Sequence, residues 1–239
     1  MPYAPIGWNA PAALDQAGLL RIKNAFVSAA QRADRIGFDV AELHAAHGYL
    51  LHQFLSPLSN LRADEFGGSL QGQMRFPLAV FEAVREIWPK HKALGVRLSA
   101  TDWVARSSWT LAESQIFAGE LKTRGCDFID VSSAGNSPEQ EIDAGPAYQT
   151  GFAAEIKRIT GMPTMAVGHI TDPKQAEAVL RSEQADMFAL GRAMLNNPRL
   201  AWQAAESLNA KAAYPPQYRR SNKAFLALPV PRNPPVATK

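Results

Sequence analysis

Phe38-Asp39-Val40-Ala41-Glu42-Leu43-His44-Ala45-Ala46-His47-Gly48-Tyr49-Leu50-Leu51 is the stretch that decides the fold. Residues 38–43 read as a short buried strand. Two imidazoles and a phenol follow just past the strand end, with Gly48 to let the backbone turn. In a parallel α/β protein, catalytic groups collect at that place. Imidazoles donate hydrogen bonds to an anion or carbonyl, and a phenol can deliver a proton. The octapeptide from His44 to Leu51 alone leaves two blander readings open, a satisfied core histidine and half of a metal site.

Working outward, helix and strand alternate. Helical periodicity runs over 15–36, with Leu19, Ile22, Phe26, Ala29, Ala30 and Ala33 on one face and Gly37 at its end. Further strands are expected over 93–99, 127–132, 163–167 and 186–190. Further helices are expected over 69–88, 110–124, 152–160, 172–181 and 198–208, with a short helical turn opened by Gly191-Arg192. Thr110 and Glu113 have the spacing of a capping box. Long polar loops cover 56–68 and 133–151. The pattern divides the chain into an α/β unit over 1–212 and a Pro-rich tail over 213–239.

Five strand-then-helix units with apolar strands imply a parallel sheet. A doubly wound sheet and a (β/α)8 barrel both fit that rhythm. The strands carry polar cargo at their C-terminal ends: His44 and His47, Arg97 and Ser99, Ser132 and Ser133, Gly168, then Gly191-Arg192. Convergence of such groups on one rim is the barrel pattern, and no glycine fingerprint of a nucleotide-binding doubly wound fold follows the first strand. Strand period places Glu42 with His44, and Arg97 with Ser99. A charged Arg97 in mid-strand is costly to bury unpaired, so it needs an anion: Glu42, a ligand, or both. A structural Glu42–Arg97 ion pair is the alternative. Gly168, Gly191 and Arg192 form a candidate phosphate site, because glycine lets backbone N–H groups approach a ligand and Arg192 adds a charged donor. Two ordinary turns with a surface arginine would explain them as well.

The formal net charge is +3 and no Lys or Arg stripe is present, so nucleic-acid binding has no electrostatic support. The apolar runs are too short to span a bilayer, and residues 1–9 lack the basic start and apolar core of a signal peptide. One cysteine, Cys126, excludes an internal disulfide framework and reads as a buried, inert thiol. The expected compartment is cytoplasmic. A metal site on His44 and His47 lacks an evident third ligand, so none is expected.

With these residues in place the sequence resembles the Old Yellow Enzyme family of FMN-dependent ene-reductases and NAD(P)H dehydrogenases, and most of all its xenobiotic-reductase-like branch. The resemblance rests on residues 42–51, on Gln53-Phe54-Leu55-Ser56-Pro57 and on Asp64-Glu65-Phe66-Gly67-Gly68-Ser69. It continues in Gly95-Val96-Arg97-Leu98-Ser99, Asp130-Val131-Ser132-Ser133, Met165-Ala166-Val167-Gly168 and Leu190-Gly191-Arg192. It implies that His44 and His47 hydrogen-bond the carbonyl or nitro oxygen of a substrate. Tyr49 would protonate the carbon that does not receive hydride, and Arg97 would sit at the pyrimidine edge of FMN. Gly168, Gly191 and Arg192 would hold its phosphate. The implied cofactors are FMN and NADPH (or NADH), and the implied partner is an electron-poor alkene. Arg220, in Gln217-Tyr218-Arg219-Arg220, resembles an arginine that reaches a neighbouring subunit's active site, which makes a homo-oligomer a candidate assembly.

Departures from the family pattern are also visible. Members carry about a hundred more residues before the point where this chain begins, so the fold expected here is a partial (β/α)8 barrel holding strands four to eight, with the first three missing. Ser69-Leu70-Gln71-Gly72-Gln73 stands for the usual Ser-Leu-Glu-Asn-Arg, and Ala134 for a glycine in Ser-Ser-Gly-Gly. His169 replaces the usual leucine after the phosphate glycine. A helical Gly72 costs about 1 kcal/mol relative to alanine, and both changes suggest relaxed constraint. The functional expectation is hydride transfer from NAD(P)H through FMN to an activated alkene. The alternative is an inactive truncated fragment, or a gene-model artefact, with exposed strand edges and little flavin binding.

Overall fold

The computed structural model describes residues 11–218. Arg220 and the rest of the tail from residue 219 lie outside the described residues. Helix α1 (Gln16–Arg35) begins where the Asp15 carboxylate accepts the Gly18 N–H at 2.7 Å. It closes by a Schellman pattern: Gly37, at φ +88°, donates its N–H to Asp34 O, and Phe38 donates to Ala33 O. Phe38 is therefore consumed in ending the helix. Strand β1 (Val40–Ala45) starts two residues later than the apolar run suggests and takes His44 into the strand itself.

The turn after β1 leads into a short helix the sequence reading missed, α2 (Leu50–Leu55), which buries Leu51, Phe54 and Leu55. Helix α3 (Leu70–Ile87) is capped by Ser69, whose hydroxyl accepts the Gly72 N–H. A Cβ on Gly72 would overlap the Gly67 carbonyl oxygen, so this glycine permits a tight loop-to-helix contact. That corrects the expectation of relaxed constraint there. Strand β2 (Ala93–Ser99) follows, then α4 (Leu111–Thr123), whose Thr110–Glu113 capping box is fully formed. The remaining elements are β3 (Phe128–Ser132), α5 (Thr150–Thr160), β4 (Thr164–Val167), α6 (Pro173–Arg181), β5 (Met187–Ala189), α7 (Arg192–Asn196) and α8 (Leu200–Ser207).

The five strands form one sheet in the order β1-β2-β3-β4-β5, each pair parallel. One face carries Ala45, Leu98, Val131 and Ala166 in register and packs against the helices. The other face carries His44, Arg97, Asp130, Met165 and Met187 in register. The edge before and within β1 exposes apolar surface, with Ile36, Phe38 and Val40 at 74%, 55% and 50% exposure. Among the described residues, no helix is long and apolar enough to cross a membrane, and no group of three His, Cys, Asp or Glu side chains could hold a metal ion.

Candidate functional site

Because the strands are parallel, all their C-terminal ends open on the same side. His44 lies in β1, His47 in the turn after it, and Tyr49 caps α2. The three rings gather together: His44 lies 5.2 Å from His47 and 5.1 Å from Tyr49 between centroids. His47 adopts φ +59°, uncommon for a residue with a side chain. Two contacts hold it. Its N–H donates to Ser99 Oγ at 3.0 Å, and its Nε2 lies 2.6 Å from Ser132 Oγ, with donor and acceptor set by the tautomer. Ser99 in turn donates to the Ala134 carbonyl. The turn after β1 and the loop after β3 also touch backbone to backbone, since a Cβ on Gly135 would fall on the His47 main chain.

Electrostatics keeps these imidazoles neutral. Burial first, then the charges of Arg97, His44 and His52, pushes His47 down to about 4. Burial, followed by Arg97 and His52, also holds His44 below its usual value. Each ring at pH 7 thus has one N–H to donate and one lone pair to accept.

Arg97 stands directly across from His44 in the register. Its ion-pair partner is Asp130, with Nε 3.2 Å from Oδ2, and not Glu42 as the shared strand face suggests. The register explains this. Asp130 is the immediate neighbour of Arg97 on β3, whereas Glu42 lies opposite Gly95. Asp130 is buried, and that burial pushes its carboxyl up to about 6 against the pull of Arg97. Glu42 stands at the solvent-reached edge of the same face. Partial desolvation and the Asp130 charge raise it to about 7, again against Arg97. Among the described residues no nitrogen of Arg97 makes a hydrogen bond, Nε meeting Asp130 at ion-pair distance only, and neither do the ring nitrogens of His44 or the Tyr49 hydroxyl.

Gly168 follows β4 at φ +121°, and a Cβ there would press on Gln149 and Tyr148. Gly191 precedes α7 at φ −80° and ψ −84° with open space around it, and Arg192 is exposed as the first residue of that helix. Val167 and Ala189 are register partners, so Gly168 and Gly191 lie at adjacent strand ends. The structure therefore brings His44, His47, Tyr49, Arg97, Gly168, Gly191 and Arg192 to one rim. A separate cavity of about 600 Å³ lies behind the turn against Gly48, Gln53 and Arg62, and the rim rings do not line it.

Residues 8–211 match the family described as NADH:flavin oxidoreductase / NADH oxidase. The chain belongs to this family. An NADPH dehydrogenase of Geobacillus thermodenitrificans is 44% identical over 210 residues, covering 88% of this chain and 61% of that protein. An NADPH dehydrogenase of Bacillus subtilis is 44% identical over 195 residues, covering 82% of this chain and 56% of that one. This flavin oxidoreductase family member thus spans about three fifths of the length of those relatives. Among solved structures it is similar to morphinone reductase at 31% identity and TM-score 0.69, covering 87% of this chain and 54% of that one. A structure of 2-naphthoyl-CoA reductase, at 23% identity and TM-score 0.78, shares the fold.

Several residues at the candidate site are not legible in the sequence. Asp130 stands in the Asp130-Val131-Ser132-Ser133 segment, but its pairing depends on register. His52, Asp102 and Gln149 bond across separate segments, and only their burial in the folded chain reveals them.

Proposed function

We propose that this chain carries the substrate-activating and flavin-edge part of an FMN-dependent, NAD(P)H-consuming oxidoreductase of the ene-reductase type. Its strands would be the fourth to eighth of a (β/α)8 barrel. One observation carries this reading: His44, Tyr49 and the terminal nitrogens of Arg97 converge on one rim while making no hydrogen bond to the described protein. The His44 and Arg97 donors among these are half-buried and call for a ligand. The residues fit FMN. Asp130 holds the Nε edge of Arg97 and leaves its amino groups for an acceptor of the flavin ring, while Gly168, Gly191 and Arg192 suit its phosphate. Bound FMN supplies hydride exchange between a nicotinamide and an activated alkene.

The remaining chemistry falls to the chain's own side chains. Neutral His44 and His47 offer ring N–H donors to a carbonyl or nitro oxygen, and fixed donors of this kind stabilise negative charge as it develops. Ser132 orients the His47 ring, and the main chain of His47 is pinned by Ser99. Tyr49, beside His44 and open to solvent, holds the proton for the alkene carbon and can recover it from water.

The test is NADPH-dependent reduction of cyclohexenone with FMN in excess. Turnover that falls about 100-fold in His44→Ala or His47→Ala is the expected result, the loss typical of one oxyanion donor. Turnover that both variants leave intact would overturn the assignment. A second reading is favoured by the exposed Ile36, Phe38 and Val40 at the free edge of β1. That apolar edge suits a sheet continued by further strands, and this chain by itself would then hold FMN weakly. Near-stoichiometric flavin retention on purification would exclude it.

A further inference from the structure

Behind the turn that carries His47 lies a third histidine, fully buried. His52 is fully buried on α2, and Asp102, just beyond β2, is fully buried beside it. His52 Nδ1 accepts the N–H of Gly48 at 2.9 Å. Its Nε2 lies 3.2 Å from Asp102 Oδ1, an ion-pair distance, and neither atom makes a hydrogen bond among the described residues. The second oxygen of Asp102 accepts the Ser56 hydroxyl at 2.6 Å and the Trp109 N–H at 2.9 Å. Burial disfavours the Asp102 carboxylate, yet these donors hold it below its usual pKa.

The proton inventory admits one tautomer. Nδ1 already accepts from Gly48, so the ring proton must sit on Nε2, the nitrogen beside the carboxylate. The opposite tautomer would set two N–H donors against each other at Gly48 and a lone pair against Asp102. An apolar side chain would fill the same space but leave the part-buried Gly48 N–H without its partner, which is costly. Besides that bond, the Gly48 carbonyl accepts the Gln53 side-chain amide at 2.7 Å, and its Cα packs against the Gly135 carbonyl.

We infer that His52 and Asp102 are positioning residues: a tautomer-locked relay that fixes the Gly48 amide and so keeps His47 in its left-handed conformation at the rim. The inference rests on the reading of His47 as a substrate donor. Neither residue belongs to the sheet face that carries His44 and Arg97, so both act through the turn.

The deciding variant is Asp102→Asn. Ser56 and Trp109 both donate to this position, so the new amide would turn its oxygen to them and its NH2 toward His52. The ring proton then moves to Nδ1 and the Gly48 bond breaks; an enforced wrong tautomer of this kind is known for buried Asp–His pairs. Nitrogen-15 NMR of labelled histidine and amide exchange at Gly48 read this without any flavin. The expected result is an Nε2–H ring in the parent, an Nδ1–H ring in the variant, and Gly48 exchange faster by about tenfold, the loss of one hydrogen bond. His52→Asn, whose Oδ1 can still accept from Gly48, should stay within about threefold of the parent, while His52→Leu should not. An unchanged tautomer with unchanged Gly48 exchange in Asp102→Asn overturns the relay. So does equal behaviour of His52→Asn and His52→Leu, should Asp102→Asn fail to fold. The tautomer flip in a chain that reduces no alkene supports the relay and overturns only the functional reading of His47.

Discussion

Replacing Gly48 by alanine separates two costs that the structure superimposes. The first is conformational, because Gly48 has φ +73°. Gly37 has φ +88° and nothing within 4 Å of where a Cβ would stand, so Gly37→Ala measures that cost alone. It should be about 1 kcal/mol. The second cost is steric. A Cβ on Gly48 would lie 2.2 Å from the Gly135 carbonyl oxygen, with Gly135 C and Asn136 Cα at 3.0 and 3.1 Å. Ordinary C···O contacts start near 3.3 Å, so backbone must move by about 1 Å. Neither neighbour is the end of a flexible side chain, and overpacking of this kind costs about 1–3 kcal/mol. Gly48→Ala should therefore lose about 2–4 kcal/mol in total. Urea unfolding followed by circular dichroism reads both variants. With a slope of about 2–3 kcal/mol per molar, the midpoint should fall by about 1 M for Gly48→Ala and by under about 0.5 M for Gly37→Ala. A Gly48→Ala midpoint no lower than that of Gly37→Ala would refute the claim that the two rim loops are locked backbone to backbone.

Ala134→Gly should raise stability by about 1 kcal/mol, since Ala134 is buried at φ +65° where glycine has no Cβ penalty; a urea midpoint at or below that of the parent contradicts this. His47 has a folded-state pKa near 4 against 6.5 for the free group, so its contribution is intact above about 6.5 and is lost as pH falls toward 4. Comparing the parent with His47→Gln by urea unfolding at pH 7 and pH 4.5 should show the gap shifting by about 2 kcal/mol in favour of the variant at the lower pH, a value already reduced for partial solvent screening. Asp130 and Glu42 titrate with the opposite sign over the same range and cancel in that difference. Burial pushes the Cys126 thiol up to about 12. Its alkylation by iodoacetamide near pH 8 should be at least about 100-fold slower in the folded chain than in urea, and equal rates would contradict its burial.

The sheet was legible because its strands are short apolar runs set apart by helices, and because His44, Arg97, Ser132, Gly168 and Arg192 all follow the same polarity. Strand ends were less so. The start of β1 depends on Phe38 closing α1, a hydrogen bond that no apolar pattern reveals. The rim rings could be named from their spacing, but not what fixes them. The Arg97–Asp130 pair needs the register of β2 on β3. The His52–Asp102 pair joins residues from different units of the chain, and Gly48 meets Gly135 from another loop altogether. Glycines at 72 and 48 look alike in sequence to any turn or helix-breaking glycine; only the backbone lying against them shows why a side chain is barred.

The account rests on Arg97 offering its free amino groups to FMN, and the direct measurement is the quenching of FMN fluorescence on titration with the chain and with Arg97→Met. The account predicts saturable quenching by the parent, however weak, and a Kd raised by about 10–100-fold in the variant, the worth of hydrogen bonds from a charged donor. Equal Kd values for the two, in a variant whose urea midpoint matches that of the parent, would contradict it.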